Sequence, residues 1–326
     1  MGRAEAWPVV GEAESVRRLG VVPTPFAGES FLSWIDTLAV TLRLSRAATL
    51  QELGLPGSAT SSTSQIHLSP EKLEGVCWRT GLRPAQVERM LFAFYAPTAL
   101  PQFTSGMGRR WHVRNPWLRR DHSAACPLCL QVSGGRWLLS WRLKWTFLCA
   151  DHLVYLADRC PRCRLWLYWR HEATGTGQRE HCTRPLGRQG RGRSRLGAKA
   201  CGFRMLEIPA MPVEDEEAVH VQRRVSALLT PADASHNERS RHLLQHMSGI
   251  VQDAARRQTI GGMLDRMESS VTRAVKESQG QDCHPPLAWT LENGSPAAIS
   301  ALVRIAARTV MIDDLSSRLP VDGTTN

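Results

Sequence analysis

The cysteines between residues 126 and 201 carry the chemistry open to this chain. The strings CPLC (126–129), CADH (149–152) and CPRC (160–163) are followed by Cys182 and Cys201. Zinc takes four thiolate or imidazole ligands in a tetrahedron, and a C-x-x-C turn aims two thiolates at one ion. The spacing assigns Cys126, Cys129, Cys149 and His152 to a first site. A second site is built on Cys160 and Cys163 and completed by Cys182 and Cys201, with His171 and His181 as competitors for the place of Cys182. Two structural Zn2+ ions are expected. The glycines at 134–135, flanked by apolar residues, suggest a hairpin that returns the chain from Cys129 to Cys149.

Other uses of these residues fit less well. A catalytic zinc keeps one position open for water, whereas both sets here have enough ligands to close. The deaminase pairing of H-x-E with P-C-x-x-C fails because Cys126 follows Ala125. There is no H-E-x-x-H, no phosphate-binding GxxxxGK[ST] and no Rossmann string. The chain reads as a non-enzyme. Its first twenty residues, MGRAEAWPVVGEAESVRRLG, have no basic stretch followed by an apolar core, and no run of about 18 apolar residues suggests a membrane span. A cytoplasmic location follows, where clustered thiols bind metal more often than they pair. Cys77 falls within a helical pattern and reads as a buried thiol.

The partners suggested by charge are anionic. The chain of 326 residues has a formal charge of +11 and a pI near 9.7. From 101 to 150, eight Arg and Lys face a single acid, Asp121; from 184 to 204, seven basic residues face none. Such stretches attract nucleic acid through phosphate neutralisation. Candidate phosphate contacts to DNA are Arg109, Arg110, Arg114, Arg119, Arg120, Arg191, Arg193 and Arg195. Trp137, Trp141 and Trp145 recur every four residues with Arg142 and Lys144 between them. They are expected to pack against the knuckles, exposed stacking on bases being the alternative.

These residues need elements to hold them. Residues 1–22 read as a flexible arm and 23–96 as a helical region. There Ser30 or Glu29 starts a helix with the stripe Phe31, Trp34, Ile35, Leu38 and Leu42. Residues 56–65 read as a polar loop. Within 68–94 two short helices are expected, the first capped by Ser69 with Pro70 at its first position, the second striped by Val87, Met90, Leu91 and Phe94. Helix, glycine turn, helix is a helix-turn-helix outline. Residues 97–124 read as a basic linker, 125–204 as a double zinc-finger module with an Arg/Gly loop, and 205–326 as a helical domain with helices near 213–229, 237–279 and 295–319. The expected fold is mainly α-helical, with a central small zinc-finger module, an N-terminal helix-turn-helix-like region and a C-terminal helical domain.

Three strings together resemble the TniQ/TnsD family of transposition target-selection proteins: PTPFAGESFLSWIDTLA (23–39), ACPLCL (125–130) with its W-x-x-x-W and C-x-x-H, and L-x-x-x-C-P-x-C (156–163). The resemblance spans about 23–204. It implies a non-enzymatic adaptor that binds target DNA or a DNA-bound complex and recruits an AAA+ ATPase transposition regulator. In some systems of the family the bound complex is an RNA-guided CRISPR effector. It also implies zinc ligands at Cys126, Cys129, Cys149, His152, Cys160 and Cys163, with Cys182 and Cys201 completing the set. The chain departs from the family pattern at Thr37, where arginine is expected, and in the Arg/Gly loop between its last cysteines. A stand-alone zinc-containing DNA-binding regulator is the other reading, and the long C-terminal helices suit a homodimer.

Overall fold

The computed structural model describes residues 17–55, 65–103, 115–119, 122–167, 180–184, 200–256 and 295–318. The opening helix α1 (Phe31–Leu42) starts at Ser30, whose hydroxyl accepts from the N–H of Ser33. Its apolar residues meet α2 (Arg46–Glu52), α3 (Pro70–Thr80) and α4 (Pro84–Glu88) in an N-terminal core of Phe31, Trp34, Ile35, Leu38, Leu50, Leu55, Val76, Val87 and Met90. Ser69 and Pro70 stand at the start of α3, but the Ser69 hydroxyl makes no capping bond; Gly81 closes the helix in the left-handed conformation (φ 72°). The chain before α1 does not all behave as an arm: the N–H of Leu19 bonds the carbonyl of Arg79 at 2.8 Å, and Leu19 and Val22 pack on the N-terminal core. Residues 1–16 lie outside the described residues.

The second helix of the 68–94 pair differs from its expected form. α4 is five residues long, and the chain then tightens into a 3-10 turn at Phe92–Tyr95. The side chains of Val87, Met90 and Leu91 are spent on the N-terminal core.

A second core joins what the sequence divides. Phe92, Tyr95 and Leu100 meet Trp117, Leu118, Leu139, Leu143, Trp145 and Phe147, and all of them pack on α6 (Glu216–Leu229), α7 (Ala234–Arg256) and α8 (Pro296–Arg318). Trp117 and Trp145 stack at 3.6 Å between ring centroids. Cross-links are specific: Gln222 on α6 accepts from the N–H groups of Phe147 and Leu148, and the indole of Trp117 donates to Ser248 on α7 at 2.7 Å. The stretch expected as a linker is therefore built into the core where it is described, at 97–103, 115–119 and 122–124. α8 starts as its sequence suggests, with Ser295 accepting from the N–H of Ala298. The helix expected over 237–279 is described as far as Arg256.

A small three-stranded antiparallel sheet in the order β1 (Leu148–Cys149), β2 (Val154–Tyr155), β3 (Met211–Pro212) gives Leu148 to the second core and Cys149 and Val154 to the cysteine-rich cluster. It ties the cysteine-rich middle to the segment leading into α6. The hairpin expected between Cys129 and Cys149 is absent. The chain instead forms α5 (Pro127–Ser133), a 3-10 turn at Leu139–Arg142, and then β1. Gly134 (φ 64°) and Gly135 (φ 82°) end α5, with the N–H of Gly135 on the carbonyl of Leu130. Glycines read as a hairpin turn are a helix C-cap.

Candidate metal centres

The first knuckle and α5 begin at the same residue. Cys126 is the N-cap, Pro127 occupies the first helical position, and the Sγ of Cys126 accepts from the N–H of Cys129 at 3.4 Å. Cys149 and His152 sit at the other end of the site, in the hairpin made by β1 and β2: Cys149 pairs with Val154, and His152 occupies the turn between them. Leu153, just after His152, takes a left-handed conformation (φ 52°). Sequence puts these pairs twenty residues apart, and the fold brings them together. Cys129 Sγ lies 3.7 Å from Cys149 Sγ, and the Nδ1 of His152 lies 3.6, 3.2 and 3.5 Å from the sulfurs of Cys126, Cys129 and Cys149.

A tetrahedron with metal–sulfur bonds of about 2.3 Å has sulfur–sulfur edges of about 3.8 Å and sulfur–nitrogen edges of about 3.6 Å. The first cluster fits. So does the second: Cys160 and Cys201 are 3.7 Å apart, Cys163 and Cys182 3.8 Å. In each group all four ligand atoms lie within 4.8 Å of one another. A disulfide would need about 2.05 Å, and these cysteines are free thiols. In the first cluster Cys149 is held far below the usual thiol range by the hydrogen bonds it receives from Cys126 and Cys129, while the bond to Cys126 pushes Cys129 far above it. Such a set releases protons when a cation replaces them. Three thiolates and an imidazole, or four thiolates, are the donor sets of closed zinc sites, and the residues present fit that ion.

The second knuckle closes on itself: the N–H of Arg164 reaches the carbonyl of Cys160 at 2.9 Å, with Arg164 left-handed (φ 59°). Gly202 (φ 69°) does the same work after Cys201. Of the competing histidines, His181 stands outside the cluster, its Nδ1 buried without a hydrogen-bond partner, and His171 lies outside the described residues. Both clusters share one apolar surround of Leu130, Trp137, Trp141, Leu156, Leu167, Met205 and Ile208. An antiparallel bridge between Ala125 and Ala157 links the residue before the first knuckle to the strand that leads into the second.

The tryptophans between the knuckles are interior residues. Trp137, Trp141 and Trp145 are all buried, Trp137 and Trp141 edge to face at 5.9 Å. Packing accounts for these three. One expected phosphate contact is corrected: Arg119 is 1% exposed, and its guanidinium donates to the carbonyls of Trp141 (2.9 Å), Leu143 (2.6 Å) and Thr146. Burial lowers its pKa to about 10, against the pull of Asp158. Arg142 returns the bond, donating to the carbonyl of Arg119 at 2.8 Å. A guanidinium supplies five donors in a fixed fork, so it satisfies an irregular loop whose carbonyls find no strand partner. Arg109, Arg110, Arg114, Arg120, Arg191, Arg193 and Arg195 lie outside the described residues.

One polar hub went unread in the sequence. Glu29, completely buried, accepts from the hydroxyl of Ser33 at 2.7 Å, the N–H of Phe26 at 3.0 Å and Arg136 at 3.3 Å. Ser33 in turn accepts from the N–H of Trp137, and Trp34 donates to the carbonyl of Pro23. The string G-E-S-x-x-S-W thereby welds α1 to the segment after the first knuckle. Thr37 adds a hydroxyl to the same carboxylate at 3.5 Å. The signal was there: two serines one helical turn apart beside a glutamate.

With this geometry in place the comparison with known families is specific. The family model described as TniQ matches residues 21–156. That segment, less than half of the chain, is similar to the TniQ family. The match covers α1 to α5, the hub and the first cluster, and it ends before Cys160. No curated protein matches the chain. No described helix is long and apolar enough to cross a membrane.

Proposed function

We propose that this chain is a target-selection adaptor of DNA transposition, bridging target DNA or a DNA-bound complex to an AAA+ ATPase regulator. The family match over 21–156 carries the reading. Two structural Zn2+ ions, held by Cys126, Cys129, Cys149 and His152 and by Cys160, Cys163, Cys182 and Cys201, would brace the middle of the chain. Each set spends four protein ligands and leaves no place for a reacting water, which suits a scaffold and not a catalyst. The N-terminal core and the core built on the C-terminal helices are separate clusters, which gives the adaptor two bodies with which to meet two partners. The net charge of +11 favours an anionic partner for one of them. A stand-alone DNA-binding regulator would have to read a groove with α4, whose five residues rise only about 7.5 Å and already give Val87 to the interior.

A retention assay tests the reading. Target DNA is immobilised with an AAA+ regulator from the same transposition locus, with and without this protein. Retention of the ATPase only when the protein is present is expected. Equal retention without it would refute the bridging role.

A further inference from the structure

Arginines from two chain segments, 159–164 and 184, gather at the second cysteine cluster. Arg159 lies over the ring of Trp166 at 3.6 Å and donates to the carbonyl of Arg164 at 3.3 Å. Arg184 donates to the carbonyl of Trp166 at 3.2 Å, and Arg162 to the carbonyl of Cys201 at 3.0 Å. Arg159, Arg162 and Arg164 are exposed, while Arg184 and Trp166 are half-buried. His122 stacks on the same indole at 4.2 Å. Burial first, and then the cations Arg119, Lys144, Arg142 and Arg159, hold its imidazole neutral, which reports the sign of the local field.

These cations could simply balance the metal centre. A zinc ion with four thiolates carries a net charge of about −2, and four guanidiniums exceed that. The described acids nearby do not make up the difference: Glu207 is paired with Arg204, buried Asp158 faces the buried Arg119 first, and Glu180 adds a single charge. Among the described residues the first cluster has no such ring. Arg136 beside it is taken up by Glu29, and Asp151 is exposed. The charge is thus local to the second knuckle, and three of its four arginines, Arg159, Arg162 and Arg184, are held at fixed positions through backbone carbonyls. Fixed, forked donors suit phosphate oxygens spaced along a backbone.

We infer that the second knuckle is the duplex-DNA backbone contact of this protein, with Arg159, Arg162, Arg164 and Arg184 as its phosphate-binding side chains. This deepens the DNA side of the adaptor reading and rests on it. The contact is sequence-independent and positions the molecule; it does not select the site.

The test is a salt titration of binding to a random-sequence duplex, using the full zinc-loaded chain. The double change Arg159→Gln and Arg164→Gln should weaken binding at least about tenfold and reduce the log–log salt slope by about 2. Zinc content should stay at the wild-type value. Because Arg159 also packs on Trp166, Arg164→Glu alone is a second variant that leaves the packing intact, with a slope reduction of about 1 or more expected. Arg223→Gln with Arg224→Gln, on the exposed side of α6, is the control and should change little. An unchanged slope in both knuckle variants, with zinc retained, would overturn the inference. So would a wild-type preference for RNA over duplex. No duplex binding by wild type at 50 mM salt would also overturn it, while DNA-dependent retention of the ATPase through a bound complex would leave the adaptor reading standing.

Discussion

Arg119 separates two meanings of a basic residue. In sequence it belongs to a positively charged stretch; in the fold its guanidinium closes the carbonyls of a loop. Arg119→Ala should therefore cost about 3 kcal/mol or more, because several buried acceptors lose their donor at about 1–3 kcal/mol each. A lowered denaturation midpoint with an unchanged m-value is expected; an unaltered midpoint would contradict the assignment. Leu153 makes the opposite case. An L-residue held left-handed costs about 1–2 kcal/mol, and Leu153 is 45% exposed, so little packing is at stake. Leu153→Gly should raise stability by about 0.5 kcal/mol, allowing for the entropy glycine gains on unfolding; a lower midpoint would show the side chain to be needed. Residue types and spacing made the eight candidate ligands legible, because thiols at C-x-x-C spacing have few other uses. Arg119 was not legible, because what decides the role of a charge is which backbone groups the fold leaves unpaired around it.

At the scale of elements, starts were readable and lengths less so. Ser30, Ser69 and Ser295 each stand at a helix start, as local chemistry requires. The 68–94 pair failed at its second helix because Met90, Leu91 and Phe92 turn into two different cores, which a continuous helix could not do. The glycines at 134–135 serve a helix end as readily as a hairpin, and α5 was hidden by its shortness. One joint between elements is titratable. Glu217 on α6 pairs with Arg304 and Arg308 on α8, and the bond from Arg308 leads in lowering its pKa from 4.5 to about 2. The pairing therefore stabilises the fold fully above pH 4.5 and is lost as the pH falls toward 2. Wild type should melt above Glu217→Gln at neutral pH, and the gap should close between pH 4.5 and 2. A gap independent of pH would place the effect elsewhere.

At the scale of the whole molecule, the cysteine-rich middle is not an inserted bead between two helical domains. The chain from Leu139 to Leu148, which runs between the halves of the first cluster, supplies Trp145 and Phe147 to the C-terminal core. That interleaving escapes sequence reading because it depends on contacts more than seventy residues apart, such as Gln222 with Phe147. Stripping the metal with a chelator should accordingly lower far-UV helicity and melt α6 to α8 together with the middle segment. Helices that keep their melting temperature after metal removal would mean independent folding units.

The central proposal is that two closed zinc centres brace this chain. Elemental analysis of the purified protein, beside Cys149→Ser, Cys182→Ser and Cys201→Ser variants, tests it most directly. Two zinc ions per chain, falling toward one in each variant, is the expected result. One zinc ion, or a content untouched by Cys182→Ser and Cys201→Ser, would contradict it.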